Sequence, residues 1–155
     1  MATNLGETRP GNSFLVLVLG SIGMLFSVGG ATVFFSYQIN ISGASIWPLP
    51  ALVLIDWMVL GLLGFVGALF GTRSIPASWS RLDWMVVGAL LPLIVFGAFT
   101  IGMYVLISLP FLVASAFLIT VRRERNRLNG LSFFALGLVC NLVLLFIFVA
   151  LGGAL

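Results

Sequence analysis

The sequence predicts an all-α fold, a polytopic membrane bundle of five transmembrane helices that forms a single domain over residues 1–155. Of the 155 residues, 61% are hydrophobic and only 7% are charged, whereas a soluble domain carries roughly 25% charged residues. The apolar residues fall in long stretches that are separated by short polar gaps. The basic residues are confined to alternate gaps. These three observations indicate that lipid covers most of the protein.

The first two spans and the last one follow directly from the length of their apolar stretches. Each stretch holds the roughly 20 residues that a membrane helix needs. The polar segment 1–12 lacks the basic start of a secretory signal, so we expect the first span to be retained. The predicted spans are 13–37, 50–71 and 131–154.

The segment 84–121 is too long for one span, and each of two spans within it would be short. As a single helix it would reach roughly 57 Å at 1.5 Å per residue, nearly twice a hydrocarbon core of about 30 Å. We therefore predict two spans, 84–104 and 107–121, with a turn within Tyr104–Pro110. Pro110 suits the first turn of a new helix, where its missing N–H costs nothing.

The distribution of arginine favours five spans over four. With five, every basic residue falls on one side of the membrane, whereas with four the cluster at 122–127 would cross to the side opposite Arg73 and Arg81. Basic loops stay in the cytoplasm, so we predict a cytoplasmic N-terminus and an external C-terminus. The use of arginine to the exclusion of lysine favours a bacterial or archaeal plasma membrane. The basic residues are Arg9, Arg73, Arg81, Arg122, Arg123, Arg125 and Arg127.

Tryptophan and glycine give expectations about how the helices sit and pack. Tryptophan favours the headgroup level, so Trp57 and Trp84 are expected near the membrane surfaces.

Small residues recur on one face of each of the first two spans and allow close backbone approach in lipid. We expect these faces to pack on each other, with contact to another protein chain as the alternative. They comprise Gly20, Gly23, Ser27, Gly30 and Ala31 in the first span and Gly61, Gly64, Gly67, Ala68 and Gly71 in the second, the last including the GxxxG pair Gly67 and Gly71.

Asp56 is the ionisable residue predicted to lie inside a span. An intramembrane carboxylate without a basic partner is costly, and it marks either a proton- or cation-handling site or an interfacial position. Asn141, in the middle of the last span, is expected to hydrogen-bond to a neighbouring helix or to a partner subunit. The two residues lie at similar predicted depths and would meet if the second and last spans are neighbours.

Two further features have both a structural and a functional interpretation. Pro92 lies inside the third span, where it bends the helix for packing or serves as a hinge. The basic cluster fixes topology, and it is also suited to contact anionic lipid headgroups or an acidic subunit. The members of the cluster are Arg122, Arg123, Arg125 and Arg127.

In the loop after the first span, Asn40-Ile41-Ser42 is a formal glycosylation sequon.

The residues that would support catalysis are scarce. There is no histidine or lysine and only one cysteine, Cys140, which removes the commonest metal ligand, the commonest general base and Schiff-base chemistry. We expect no catalytic activity, no metal, no cofactor and no nucleic-acid partner. The predicted function is a structural or accessory subunit of a larger respiratory, photosynthetic or transport complex, in contact with lipids and other integral membrane subunits. The alternative is a small transporter or channel that uses Asp56 as a protonatable site.

Overall fold

The computed structural model describes residues 10–42, 49–72, 80–97, 102–123 and 127–154, and every regular element in them is helical. This confirms the all-α fold. Four helices are long and apolar enough to cross a membrane, while α3 is shorter than the others. A π-helical turn, Gln38–Ser42, extends the first helix. The helices are α1 (Pro10–Tyr37), α2 (Leu49–Thr72), α3 (Ser80–Phe96), α4 (Gly102–Arg123) and α5 (Arg127–Ala154).

The segment 84–121 does divide into two helices, but the predicted turn is in the wrong place. The break follows α3 at Gly97, whose N–H donates to the Leu93 carbonyl at 2.9 Å, while the Gly102 N–H donates to the Gly97 carbonyl at 2.6 Å. Pro110 lies inside α4 rather than at its start. The predicted spans 84–104 and 107–121 therefore correspond to helices α3 and α4. Proline is tolerated inside membrane helices because neighbouring groups can satisfy the freed carbonyl.

The helices α3 and α4 form an antiparallel hairpin. The indole N–H of Trp84, near the start of α3, donates to the hydroxyl of Thr120, near the end of α4, at 2.6 Å. Gly130, near the start of α5, also lies against Trp84. The first turn of α3, the last turn of α4 and the first turn of α5 therefore lie at one end of the bundle.

We call this the basic end, because Arg81 lies in the first turn of α3 and the adjoining turns of α4 and α5 carry Arg122, Arg123 and Arg127. Antiparallel packing of α1 on α2 puts the start of α1 and the end of α2 there as well. The opposite end, formed by the end of α1, the start of α2 and the turn after α3, is the uncharged end. Arg9, Arg73 and Arg125 lie outside the described residues.

Four helices form a closed ring and the fifth lies outside it. In the ring, α1 packs on α2, α2 on α3, α3 on α4, and α4 on α1. Helix α5 packs mainly against α3 and touches the edge of α2. Much of α5 is left exposed, including Leu131, Val139 and Phe146.

The predicted packing of α1 on α2 through small residues is confirmed. A β-carbon at Gly20 would lie 2.6 Å from the Ala68 side chain, and one at Gly61 would collide with Ser27. Such spacing leaves no room for a larger side chain. The two helices therefore approach closely at two levels.

The other small residues of α2 face different helices, which corrects the expectation of a single shared face. Gly67 lies against the Asp83 side chain of α3. A β-carbon at Gly71 would lie 2.6 Å from the Ile119 side chain of α4, and one at Gly64 would lie 2.8 Å from Leu112. Helix α2 is thus approached closely from three sides.

The expectation that Trp57 lies at the headgroup level is wrong. Its ring is fully buried among the helices, and a β-carbon at Gly30 of α1 would lie 2.7 Å from it. Trp57 is therefore a core residue that fills space left by a glycine. Trp84 is partly buried and bonds to Thr120, while Trp47 and Trp79 lie outside the described residues.

Candidate functional site

The structure brings Asp56 and Asn141 together. Asp56 is the eighth residue of α2, so it lies roughly 10 Å along the axis from the uncharged end at 1.5 Å per residue. Its carboxyl group accepts a hydrogen bond from the Asn141 side chain of α5. The same amide nitrogen donates to the Ala89 carbonyl of α3 at 2.5 Å. Three helices therefore meet at one amide group.

Glycines position this amide. Gly137, one turn before Asn141, lies directly against the Met85 backbone of α3, and Gly88 of α3 lies against the Phe134 backbone of α5. No side chain separates the two helices at these levels. The close approach brings the Asn141 amide within reach of a main-chain carbonyl on α3.

Two oxygen atoms of the pair have no hydrogen-bond partner. They are Oδ2 of Asp56 and Oδ1 of Asn141, and both are buried. An unpaired buried acceptor costs free energy. Since Asn141 is only 4% exposed, bulk water does not reach its side chain freely. The site is therefore short of hydrogen-bond donors.

The pair lines an open pocket of about 240 Å³ between α2, α3 and α5. Its mouth is flanked by Val59 and Leu63 on α2, which are 45% and 38% exposed, and by the exposed Cys140 on α5. These residues lie on the apolar outer face of the bundle, so the pocket opens sideways. The lining residues are Asp56, Val59, Leu60, Leu63, Leu82, Met85, Val86, Ala89, Gly137, Cys140, Asn141 and Leu144.

A second pocket, of about 280 Å³, lies at the uncharged end. It is lined by the end of α1, the start of α2, the end of α3 and the last turns of α5, and its side chains are apolar except for Gln38. The presence of Leu93, Phe96 and Gly97 in this wall means that α3 extends from the basic end to the uncharged end.

The remaining predicted residues lie apart from the Asp56–Asn141 pair. Pro92 is buried inside α3, and its role as a hinge stays a prediction. Gly67 and Gly71 pack against α3 and α4. The basic cluster stays a predicted lipid or partner contact, with its described members on the terminal turns at the basic end. Asn40 is exposed in the π-helical turn, and its glycosylation stays a prediction.

Asp83 is a buried acidic residue that sequence reasoning missed. The predicted third span begins at Trp84, whereas α3 begins at Ser80 and Asp83 is only 3% exposed. Both of its carboxyl oxygens lack a partner. Asp83 lies ahead of the predicted third span, and burial raises the pKa of its carboxyl group well above the ordinary value of 3.8.

Among the described residues, no group of three acidic, cysteine or histidine side chains is arranged to hold a metal ion. Comparison with known protein families, curated proteins and solved structures finds nothing that matches this chain.

Proposed function

We propose that the protein is an integral membrane protein that crosses a bacterial or archaeal plasma membrane five times, with its N-terminus in the cytoplasm and its C-terminus outside. The antiparallel α3–α4 hairpin supports this count, because the bond from Trp84 to Thr120 keeps the basic segments before α3 and after α4 at one end. Positively charged loops of membrane proteins stay in the cytoplasm.

Single-cysteine labelling tests the topology. In a Cys140→Ser background, Ser45→Cys should react with an impermeant maleimide from outside, whereas Ser78→Cys and Asn126→Cys should react only after the cells are opened. Labelling of Ser78→Cys and Asn126→Cys from opposite sides would contradict five spans.

The function we propose first is that of a non-catalytic subunit in a larger membrane complex. The supporting observation is the placement of α5, which lies outside the ring of four helices and exposes large apolar side chains along its length. A second membrane helix packed there would complete the enclosure of α5.

Extraction in mild detergent from the native membrane tests this function. We expect a second integral membrane polypeptide to co-purify at a fixed ratio with the wild type. The paired substitution Val139→Ala with Val143→Ala on the exposed face of α5 should release it. The matched pair Leu25→Ala with Val33→Ala, on the exposed face of α1, should retain it. A stable lone monomer would contradict the proposal.

The second candidate function is a small transporter or channel that uses Asp56 as its protonatable site. It is favoured by the pocket that holds Asp56 and Asn141 with two acceptor oxygens lacking donors. Intramembrane carboxyl groups that face a cavity commonly mark ion or proton pathways.

Reconstitution into liposomes tests transport. A pH gradient should drive flux through the wild type, Asp56→Asn should abolish it, and the other buried carboxyl variant, Asp83→Asn, should retain it. Equal flux through wild-type and Asp56→Asn liposomes would rule out a transport role for Asp56.

A further inference from the structure

When the Asp56 carboxyl group is ionised, the Asp56–Asn141 pair has too few hydrogen-bond donors for its acceptor oxygens. The Asn141 amide nitrogen already donates to Ala89 and to the Asp56 carboxyl group. Oδ2 of Asp56 and Oδ1 of Asn141 remain, and both are acceptors when the carboxyl group is ionised. A proton on Asp56 removes the charge and turns one acceptor into a donor, so the protonated pair is less short of hydrogen-bond donors than the ionised pair.

Loss of that proton creates a charge with no described counter-charge in the pocket. An ionised carboxylate in an apolar setting is strongly disfavoured unless a cation accompanies it. The pocket walls next to Asp56 supply leucine, valine and methionine side chains but no basic residue. A positively charged ligand is therefore the natural replacement for the proton.

The lining also decides which kind of cation fits. Inorganic cations such as calcium take about six to eight oxygen ligands, whereas this site offers the oxygens of Asp56 and Asn141 and a carbonyl, Ala89, that already accepts a hydrogen bond. An organic cation carries its own apolar groups, which can contact Leu60 and Met85. Ligand pockets of this kind are mostly apolar, with a few polar groups that fix orientation.

We propose that the Asp56–Asn141 pocket binds an organic ammonium ion from the membrane phase in exchange for one proton. The proton leaves the Asp56 carboxyl group for the solvent, and the ammonium group takes its place between the two oxygens. The mouth beside Val59, Leu63 and Cys140 lies on the apolar outer face of the bundle. A ligand dissolved in the membrane can enter there without crossing the helices. This inference rests on the second candidate function and names its substrate class.

Asp56 is the only acidic or basic side chain among the described residues that line the pocket, so the exchange is assigned to it. Cys140 is the only other titratable side chain in the described lining of the pocket. Titratable groups on the helices packed against α2 and α5 lie elsewhere. They are Tyr37 at the end of α1, Arg81 and Asp83 at the start of α3, Tyr104 at the start of α4, and Arg122, Arg123 and Arg127 on the terminal turns at the basic end.

Titration calorimetry of the full chain in detergent tests the exchange. The probe is benzylammonium, whose N–H groups can donate to the two oxygens, and two buffers of different protonation enthalpy count the protons released. We expect about one proton per bound probe. The affinity should fall about tenfold for each pH unit once the solution is acidic enough to protonate Asp56. Sodium at the same concentration should not compete.

Three variants make the result specific. Asp56→Asn should weaken binding at least about tenfold, the factor that 1.4 kcal/mol represents, and should abolish proton release. Val59→Trp should block the mouth and weaken binding while leaving the acid–amide pair intact. Asp83→Asn should bind and release protons as the wild type does.

The proposal is overturned if the probe does not bind to the folded wild type. It is also overturned if Asp56→Asn and Val59→Trp both bind as the wild type does, or if ethylbenzene, the neutral carbon analogue, displaces the probe. Binding with proton release but without liposome flux supports this inference and contradicts only transport. Proton-driven flux without ammonium binding supports transport and contradicts this inference.

Discussion

At the scale of single residues, the carboxyl groups of Asp56 and Asp83 differ in how far the sequence reveals them. Asp56 stands alone in a long apolar stretch, so its position inside a helix could be predicted, whereas its contact with Asn141 could be predicted only on the condition that the second and last spans are neighbours. Asp83 follows a polar segment that includes Arg81, and this sequence context predicts a loop position for Asp83. Its burial depends on the packing of α3 against the glycine face of α2 at Gly67, which no local pattern reveals.

The burial of Asp83 makes stability depend on pH. Its native pKa is raised above the ordinary value of 3.8 by burial, so the native state binds the proton more tightly than the unfolded chain. Stability is therefore highest below about 3.8 and falls as the pH rises from there through the raised native pKa. The N-terminal position in α3 favours the charge by up to about 2 kcal/mol, which does not offset burial without partners.

We expect Asp83→Asn to stabilise the protein at neutral pH. The uncharged amide avoids the cost of burying an ionised group. The midpoint of thermal unfolding in detergent, followed by tryptophan fluorescence, should rise by a few degrees, since 1 kcal/mol corresponds to about 2–4 °C in a chain of this size. Below about pH 3.8 the variant and the wild type should unfold together. A lower midpoint for the variant at neutral pH would show that the charge is stabilised in the fold.

At the scale of helices, the sequence predicted the pairing of α1 with α2 but not that of α3 with α5. Small residues recur along both α1 and α2, and a repeated pattern on two neighbours in the chain indicates a shared face. Helices α3 and α5 meet through single glycines, Gly88 and Gly137. Isolated glycines are common in membrane helices, so neither one identifies its partner.

The α3–α4 turn is predicted at the wrong place because the prediction relies on Pro110 rather than on the glycines before it. Pro110 is expected at the start of a helix, yet the chain turns between Gly97 and Gly102, where a close backbone contact requires glycine. A β-carbon at Gly102 would lie 2.7 Å from the Gly97 carbonyl. In lipid, proline inside a helix is a weaker signal than it is in water.

Gly137→Ala should separate α5 from α3. The new β-carbon would collide with the Met85 main chain, which cannot move aside as a flexible side chain does. Overpacking of this kind costs about 1–3 kcal/mol. The midpoint of thermal unfolding should therefore fall.

Gly29→Ala is the matched control, because nothing lies within 4 Å of a β-carbon at Gly29. There, alanine should be neutral or slightly stabilising, since it is the better helix former by up to about 1 kcal/mol. Equal effects of the two substitutions would mean that α3 and α5 do not touch at Gly137.

At the scale of the whole molecule, hydropathy and charge predicted the number of helices but not their arrangement. Hydropathy reports which residues avoid water, and in lipid every face of every helix does so. It therefore cannot show that α1 to α4 close a ring while α5 lies outside it. That arrangement follows from which glycine meets which side chain, a property of pairs of helices. The Asp56–Asn141 pocket exists because α5 lies at the edge of α2 rather than inside the ring.

The orientation of α5 should depend on the positive charge of the basic cluster, because this helix is held mainly by α3 and follows the cluster directly. We expect the fourfold change Arg122→Gln, Arg123→Gln, Arg125→Gln and Arg127→Gln to leave the C-terminus on both sides of the membrane. Reporters fused after Leu155, one active only inside the cell and one only outside, measure the ratio. Replacement of the same four arginines by lysine keeps the charge and should keep the C-terminus outside, since cytoplasmic retention depends on charge rather than on the guanidinium group. If the C-terminus of the glutamine variant stays wholly outside, packing of α5 against Gly88 fixes the direction of the helix instead. If the C-terminus of the lysine variant is also found on both sides, the arginines act through specific contacts with headgroups or a partner.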